Sequence, residues 1–430
     1  LKMSGGVEYQ SPSSGNTTYV AFGLPTNGSW VMMCDEIMGA TTTQTSSSSS
    51  SSSTTTTTTT TSSSSTPHTN GTISHFITIF GENTAYAKVT PTGAPYQTKL
   101  ANDYTLLSNY YAGGSLSLPN YLLVTSGSNW GTPASCDKLG TNSGCVVNGS
   151  DVSSLLKGAP YSWKEYAESM PSPCYNANTS LYAVKHNPFM YYEDVVGNQS
   201  YCDSHVVPMN MTTGEGFLND LNNGNLPTYS FITPNICDDG HNLCGNASSG
   251  VSEFDHWLSN LIPQIQGSPE WNSTAILITY DESGSSTSEQ VFAVLVSSLA
   301  RNNYTDSSYY THSSALLTAE QVLGIGYLGR NDSVANSFCS DLYLSNPCSH
   351  QTSINVGQSY TNTFAHSIIL RLSVSGSGDL FFSLSGQSIL AIPLSSSATT
   401  ITFVLQVGDT YSFGSSSGSS VSIDGAEVLS

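Results

Sequence analysis

The sequence predicts an α/β domain in the middle of the chain, an all-β sandwich at its C-terminal end and a strand-rich arm in front. Three observations carry this. Short apolar runs alternate with helix-period patterns between about residues 74 and 348. Strand-like runs separated by Ser/Gly turns fill residues 353–430. An unbroken run of Ser and Thr over residues 46–66 sets both apart from the first 45 residues.

Within residues 1–45, Thr18–Phe22 and Ser29–Met33 read as strands joined through Gly23–Gly28, a hairpin pattern. Two strands alone are marginal, so the arm is expected to join a sheet, either that of its own chain or that of a neighbouring molecule. Residues 46–72 form a linker: a Ser/Thr run cannot bury a core and suits O-linked glycans. Residues 73–350 form the α/β domain. Its central strands are His75–Phe80, Ala275–Tyr280 and Val291–Val296, and Phe254–Ile265 and Ala315–Leu323 show helical spacing. Residues 351–430 carry the strand runs Ile368–Val374, Asp379–Leu384, Ile389–Ile392 and Thr400–Leu405, which suggest a small sandwich of about seven strands.

Composition narrows the function. The chain has 430 residues, 10 Lys plus Arg and 30 Asp plus Glu, for a formal charge of −20. Ten cations cannot build a groove that follows a phosphate backbone, which excludes a nucleic-acid binder. No apolar run approaches the ~20 residues of a membrane helix. Residues 1–20 are polar and contain no secretory leader, so an exported chain would be a mature form. Carboxylates are mostly neutral at pH 2–3, and a chain poor in Lys and Arg then avoids a large positive self-repulsion. This reads as adaptation to an acidic exterior.

Cysteines and sequons point the same way. Eight of nine cysteines fall into near neighbours, and four disulfides are expected: Cys136–Cys145, Cys174–Cys202, Cys237–Cys244 and Cys339–Cys348. With no C-x-x-C pair a zinc site is a poor alternative; Cys34 is left over. Eleven N-x-S/T sequons, at Asn16, Asn27, Asn70, Asn148, Asn178, Asn198, Asn210, Asn246, Asn272, Asn303 and Asn331, mark candidate N-glycosylation sites. The expected location is extracellular or at the cell surface.

The chemistry is expected just past strand ends, where an α/β sheet gathers its loops. Glu82 and Asn83 follow the first strand and offer hard oxygen donors to a cation. Ser117 falls near the start of a helix whose first turn holds Pro119; free N–H groups there favour an anion, and a metal can activate such a hydroxyl. Asp281 and Glu282 are consecutive acids after another strand, a repulsive pair that a divalent metal would relieve. His186, His241 and His312 lie in separate loop-like stretches and could hold phosphate oxygens or move protons.

Read in order, Phe76–Tyr86, Ser117–Gly127, Lys185–Phe189, Ser230–His241, Thr279–Glu282 and His312 with Glu320–Gly324 resemble the phosphoesterase family. That family contains secreted acid phosphatases and phospholipases C and belongs to the alkaline phosphatase superfamily. The resemblance spans residues 74–335 and implies an alkaline-phosphatase-like α/β/α sandwich. It implies one divalent metal ion held by Glu82, Asn83, Asp281 and Glu282 and completed by the Ser117 oxygen. Ser117 would be the nucleophile that becomes phosphorylated, with His186, His241 and His312 as phosphate holders or acid/base groups. Asp239, Asn120 and Lys185 would lie on the substrate, a phosphate ester. One departure is plain: the family's His two places before the nucleophile is here Ser115. A different reading takes its support from the layout. The arm, tether and terminal β-domain would suit a structural subunit of an extracellular filament or cell-surface layer. Such subunits would form a homopolymer by strand donation through the arm and carry an active or degenerate phosphoesterase domain.

Overall fold

The computed structural model describes residues 19–22, 70–138, 144–158, 160–244, 248–284, 288–345, 348–352, 354–361, 368–394, 399–405, 409–416 and 420–429. The second half of the expected hairpin, the Ser/Thr run, Cys34, Asn16, Asn27 and Asn246 lie outside these residues.

Among the described residues an eight-stranded sheet forms the middle domain. Its order is Tyr304–Asp306, Thr105–Leu107, Ala293–Ser297, Thr274–Tyr280, His75–Gly81, Tyr229–Thr233, Trp163–Glu168, Val206–Met209. His75–Gly81 runs parallel to both its neighbours, with Gly81 level with Tyr280. Ala293–Ser297, the third strand read from the sequence, runs antiparallel to both of its own. The strands His75–Gly81, Thr274–Tyr280 and Ala293–Ser297 are buried on both faces, which is why their text is a largely apolar run rather than an alternation.

Side-chain alternation sorts the helices into two layers. Phe80 points to one face, where its ring meets Tyr121 at 4.8 Å and His312 at 5.0 Å; those residues sit on the helices Ser117–Ser126 and His312–Leu323. Tyr280, level with the next residue along, points to the other face. There its ring lies 5.2 Å from Phe254 and its hydroxyl donates to Gln97 Oε1 at 2.7 Å, on the helices Gly250–Gln266 and Pro95–Asp103. The result is an α/β/α sandwich. Each fully buried Phe or Ile of the central strands contributes roughly 1.5–3 kcal/mol by leaving water.

The C-terminal sheet departs from its sequence reading in one respect. Ile368–Val374 and Asp379–Leu384 are not separate strands but parts of one, Ile368–Leu384. Its first half pairs with Thr399–Leu405 and Ser420–Leu429, its second half with Gln387–Leu394 and Thr410–Ser415. Gly376 and Gly378, with φ of 124° and 108°, turn the strand between the two. A side chain at Gly376 would strike the Ser420 carbonyl, so glycine is required there. A separate core fills this unit, with Phe382, Phe403 and Phe413 at its centre. The strand Tyr19–Phe22 pairs in parallel with Thr399–Leu405 of the same chain, so within this one chain the arm adds to its own C-terminal sheet. Ser349–Thr352 also pairs with Ser420–Leu429.

All four expected disulfides form. The eight described sequon asparagines are all solvent-exposed. No helix among the described residues is long and apolar enough to cross a membrane.

Candidate active site

Three loops leave the same edge of the sheet from adjacent strands. His75–Gly81 delivers Glu82 and Asn83, Thr274–Tyr280 delivers Asp281 and Glu282, and Tyr229–Thr233 leads to Asp239 and His241. Backbone bonds lock them together: Glu82 N–H donates to the Asp239 carbonyl at 2.7 Å, and Asp281 N–H to the Gly81 carbonyl at 2.9 Å. Asn83 holds a left-handed backbone, φ 45°, a region that asparagine tolerates better than most residues. That twist aims its N–H at Asp281 Oδ1, 2.8 Å away.

Ser117 is the first residue of its helix and is buried. Its hydroxyl donates to Glu82 Oε2 at 3.2 Å and accepts from Lys185 Nζ at 3.2 Å. The helix starts without a local side-chain cap, because Leu116 has no acceptor to offer. Pro119 occupies its first turn, as read from the sequence.

The cleft is crowded with acid. Burial, then repulsion from Asp281 and Asp239, pushes the Glu82 carboxyl well above the usual range. Burial raises Asp239, Asp281 and Glu282 as well. Burial works against the charge on Lys185, but Glu82, Asp137 and Asp281 more than offset it and hold the ammonium above the ordinary lysine value. Lys185 is therefore a cation, not a base.

The three histidines occupy three different environments. His186 stacks on Tyr121 at 5.5 Å, and its Nε2 lies 3.3 Å from Glu82 Oε1 but is not aligned for a hydrogen bond. Burial, with Lys185 and His241 nearby, holds it well below its usual pKa. His241 is exposed at the rim, with Nδ1 3.2 Å from the Asn83 amide. His312 is not in the cleft. It is fully buried, its Nε2–H donates to the Asp281 carbonyl at 2.7 Å and its Nδ1 accepts from the Tyr110 hydroxyl at 3.2 Å. Both ring nitrogens are occupied, so it braces Asp281 from behind instead of touching phosphate.

Asn120 is a second correction. Its Oδ1 accepts from Gly113 N–H at 2.8 Å, and its Nδ2 donates to the Gly114 and Leu116 carbonyls at 2.6 and 3.1 Å. It ties the loop before Ser117 to the helix and has nothing left for a substrate. Asp239 turns Oδ1 to the N–H groups of His241 and Asn242 and shapes that loop. Sequence reasoning missed Asp137, whose Oδ1 accepts from Leu118 N–H at 2.8 Å and whose Oδ2 lies 3.3 Å from Lys185 Nζ.

The phosphoesterase family model matches residues 23–326. The chain belongs to the phosphoesterase family. This phosphoesterase is 32% identical over 249 residues to an acid phosphatase of Aspergillus fumigatus, covering 55% of this chain and 52% of that one. It is 30% identical over 274 residues to a probable acid phosphatase of Kluyveromyces lactis, covering 61% of each. The chain thus spans only about half to three fifths of the length of these relatives. A solved structure of an alkaline phosphatase superfamily protein from Vibrio parahaemolyticus aligns over 77% of this chain and 80% of its own, at 13% identity and a TM-score of 0.46.

The family resemblance implies a metal, and the donors present suit a hard divalent cation. Glu82 Oε1, Asp281 Oδ2, Glu282 Oε2 and Asp239 Oδ2 are buried oxygens without a hydrogen-bond partner, and carboxylates left in that state call for a counter-charge. Among the described residues no three His, Cys, Asp or Glu side chains form a ready-made cage. Glu82 accepts from the Ser117 hydroxyl, and Asp281 follows the adjacent strand end. Asn83 turns its amide nitrogen to Glu82 Oε2 at 3.0 Å.

Proposed function

We propose that the protein is a metal-dependent phosphoric ester hydrolase of the acid phosphatase type that works through a phosphoserine at Ser117. The observation that carries this is the Ser117 hydroxyl held 3.2 Å from both the Glu82 carboxylate and the Lys185 ammonium at the carboxyl edge of the sheet. The hydroxyl proton is drawn toward Glu82 Oε2 while Oγ attacks phosphorus and the bond to the departing alkoxide breaks. Lys185 offsets negative charge on the attacking oxygen and on the phosphoryl group. His241, exposed at the mouth, would protonate the departing oxygen; water would then hydrolyse the phosphoserine. A divalent cation held by Glu82 and Asp281, beside Asn83 and Glu282, would lower the hydroxyl pKa and neutralise phosphoryl charge. Ser115 stands where the family has His, and Lys185 supplies positive charge in its absence.

Export to an acidic exterior is part of this reading. The four disulfides, the exposed sequons and the low content of basic residues support it. The direct test is hydrolysis of nitrophenyl phosphate by the purified chain. Phosphate release is expected, with loss after chelation and recovery on adding back a divalent cation. A chain that releases no phosphate with any divalent cation supplied is not this enzyme.

A further inference from the structure

The helix that carries Ser117 has an unusual start. Leu116 offers it no cap, and the Ser117 hydroxyl, which could have capped it, is turned to Glu82 instead. The task of satisfying the Leu118 N–H passes to Asp137, from a different part of the chain. Asp137 lies in the short helical turn Cys136–Lys138, whose first residue is bridged to Cys145. Its other oxygen faces Lys185, with 11% of the Asp137 side chain and 26% of the Lys185 side chain exposed. Lys185 Nζ in turn donates to the Ser117 oxygen.

We propose that Asp137 is a positioning residue of the hydrolytic site: one carboxylate, hung from the Cys136–Cys145 staple, fixes the nucleophile helix through Leu118 N–H and sets the Lys185 ammonium against Ser117 Oγ. A lysine side chain has four rotatable bonds and loses its placement readily. Glu82 and Asp281 would otherwise draw Nζ down among the acids, away from the position where charge develops. Asp137 supplies the opposing pull from outside the acid cluster. Because the same carboxylate holds both the helix start and the ammonium, the distance between Oγ and Nζ is set by one rigid group rather than by two independent ones. The bridge at Cys136 is what makes that group rigid. Asp137 bonds to Leu118 N–H and faces Lys185, and it acts on the reaction through them.

This assignment rests on the hydrolase reading above, and the test separates the two. Asp137→Asn keeps an oxygen for Leu118 N–H and removes the charge that holds Lys185. With nitrophenyl phosphate as substrate, kcat is expected to fall about tenfold at nearly constant KM and an unchanged melting temperature. Lys185→Met is expected to lower kcat about a hundredfold. The double variant should be no slower than Lys185→Met alone, because Asp137→Asn keeps the bond to Leu118 N–H and removes only the hold on Lys185. Asp137→Asn turning over at the wild-type rate, or its loss multiplying that of Lys185→Met in the double variant, overturns the assignment while leaving the hydrolase intact. A wild-type chain without activity removes both.

Discussion

Ser117→Ala is expected to lower turnover of nitrophenyl phosphate by on the order of a thousandfold or more, since the reaction loses its attacking atom and not merely a contact. The fold should tolerate the change. Helix capping at this start falls to Asp137, and the residues that hold the loop in place, Asn120 among them, are untouched. A melting curve alongside the kinetics checks this. A variant with wild-type rates would mean that phosphate is attacked by something other than Ser117.

The largest expected effect on stability is an increase toward acid. Burial raises the carboxyls of Glu320 to about 9, Asp341 to about 8, and Glu168 and Asp151 to about 7. Glu320 is fully buried; Leu328 N–H donates to its Oε1, its Oε2 has no partner, and Asp332 adds repulsion that Arg330 only partly offsets. In the unfolded chain these groups titrate near 4. Between about pH 4 and 9 the folded state therefore keeps protons that the unfolded state has released, and stability falls as pH rises through that window. His312 works the other way: burial lowers it to about 4, so below about pH 6.5 the unfolded chain takes up a proton that the folded chain refuses. So does Asp306. Burial opposes its charge, but hydrogen bonds from Ser308 and Tyr310 hold it below its usual value, so its contribution is lost only at lower pH. The melting temperature should be lower by on the order of 10 °C at pH 9 than at pH 5. Glu320→Gln, which cannot ionise, should recover part of that loss at pH 9 and change little at pH 5. A melting temperature that is flat or rises with pH would contradict the account.

The sequence revealed three of the eight strands of the central sheet, and the acids that follow two of them, for one reason. A buried central strand is a continuous apolar run, and the residue after it must lie at the sheet edge, so Glu82 and Asp281 were fixed by position. Side-chain direction is not encoded that way. His312 and Asn120 have residue types suited to catalysis, but tertiary hydrogen bonds turn both inward, one to the Asp281 carbonyl and one to the Gly113–Leu116 loop. Asp137 was missed because a Cys-Asp-Lys turn has no motif; its place depends on how a stapled loop folds back over a helix start. The signal available was an acid beside a bridged cysteine shortly after the nucleophile helix. Ser375–Gly378 reads as a turn because Ser and Gly favour turns, yet the same glycines let one long strand bend between two sets of partners.

The most direct test is to quench the enzyme in acid during turnover of a radiolabelled phosphate ester and map the label by peptide mass spectrometry. The account predicts a phosphoryl group on Ser117 in the wild type and none in Ser117→Ala. Steady phosphate release with no label on Ser117 would contradict it.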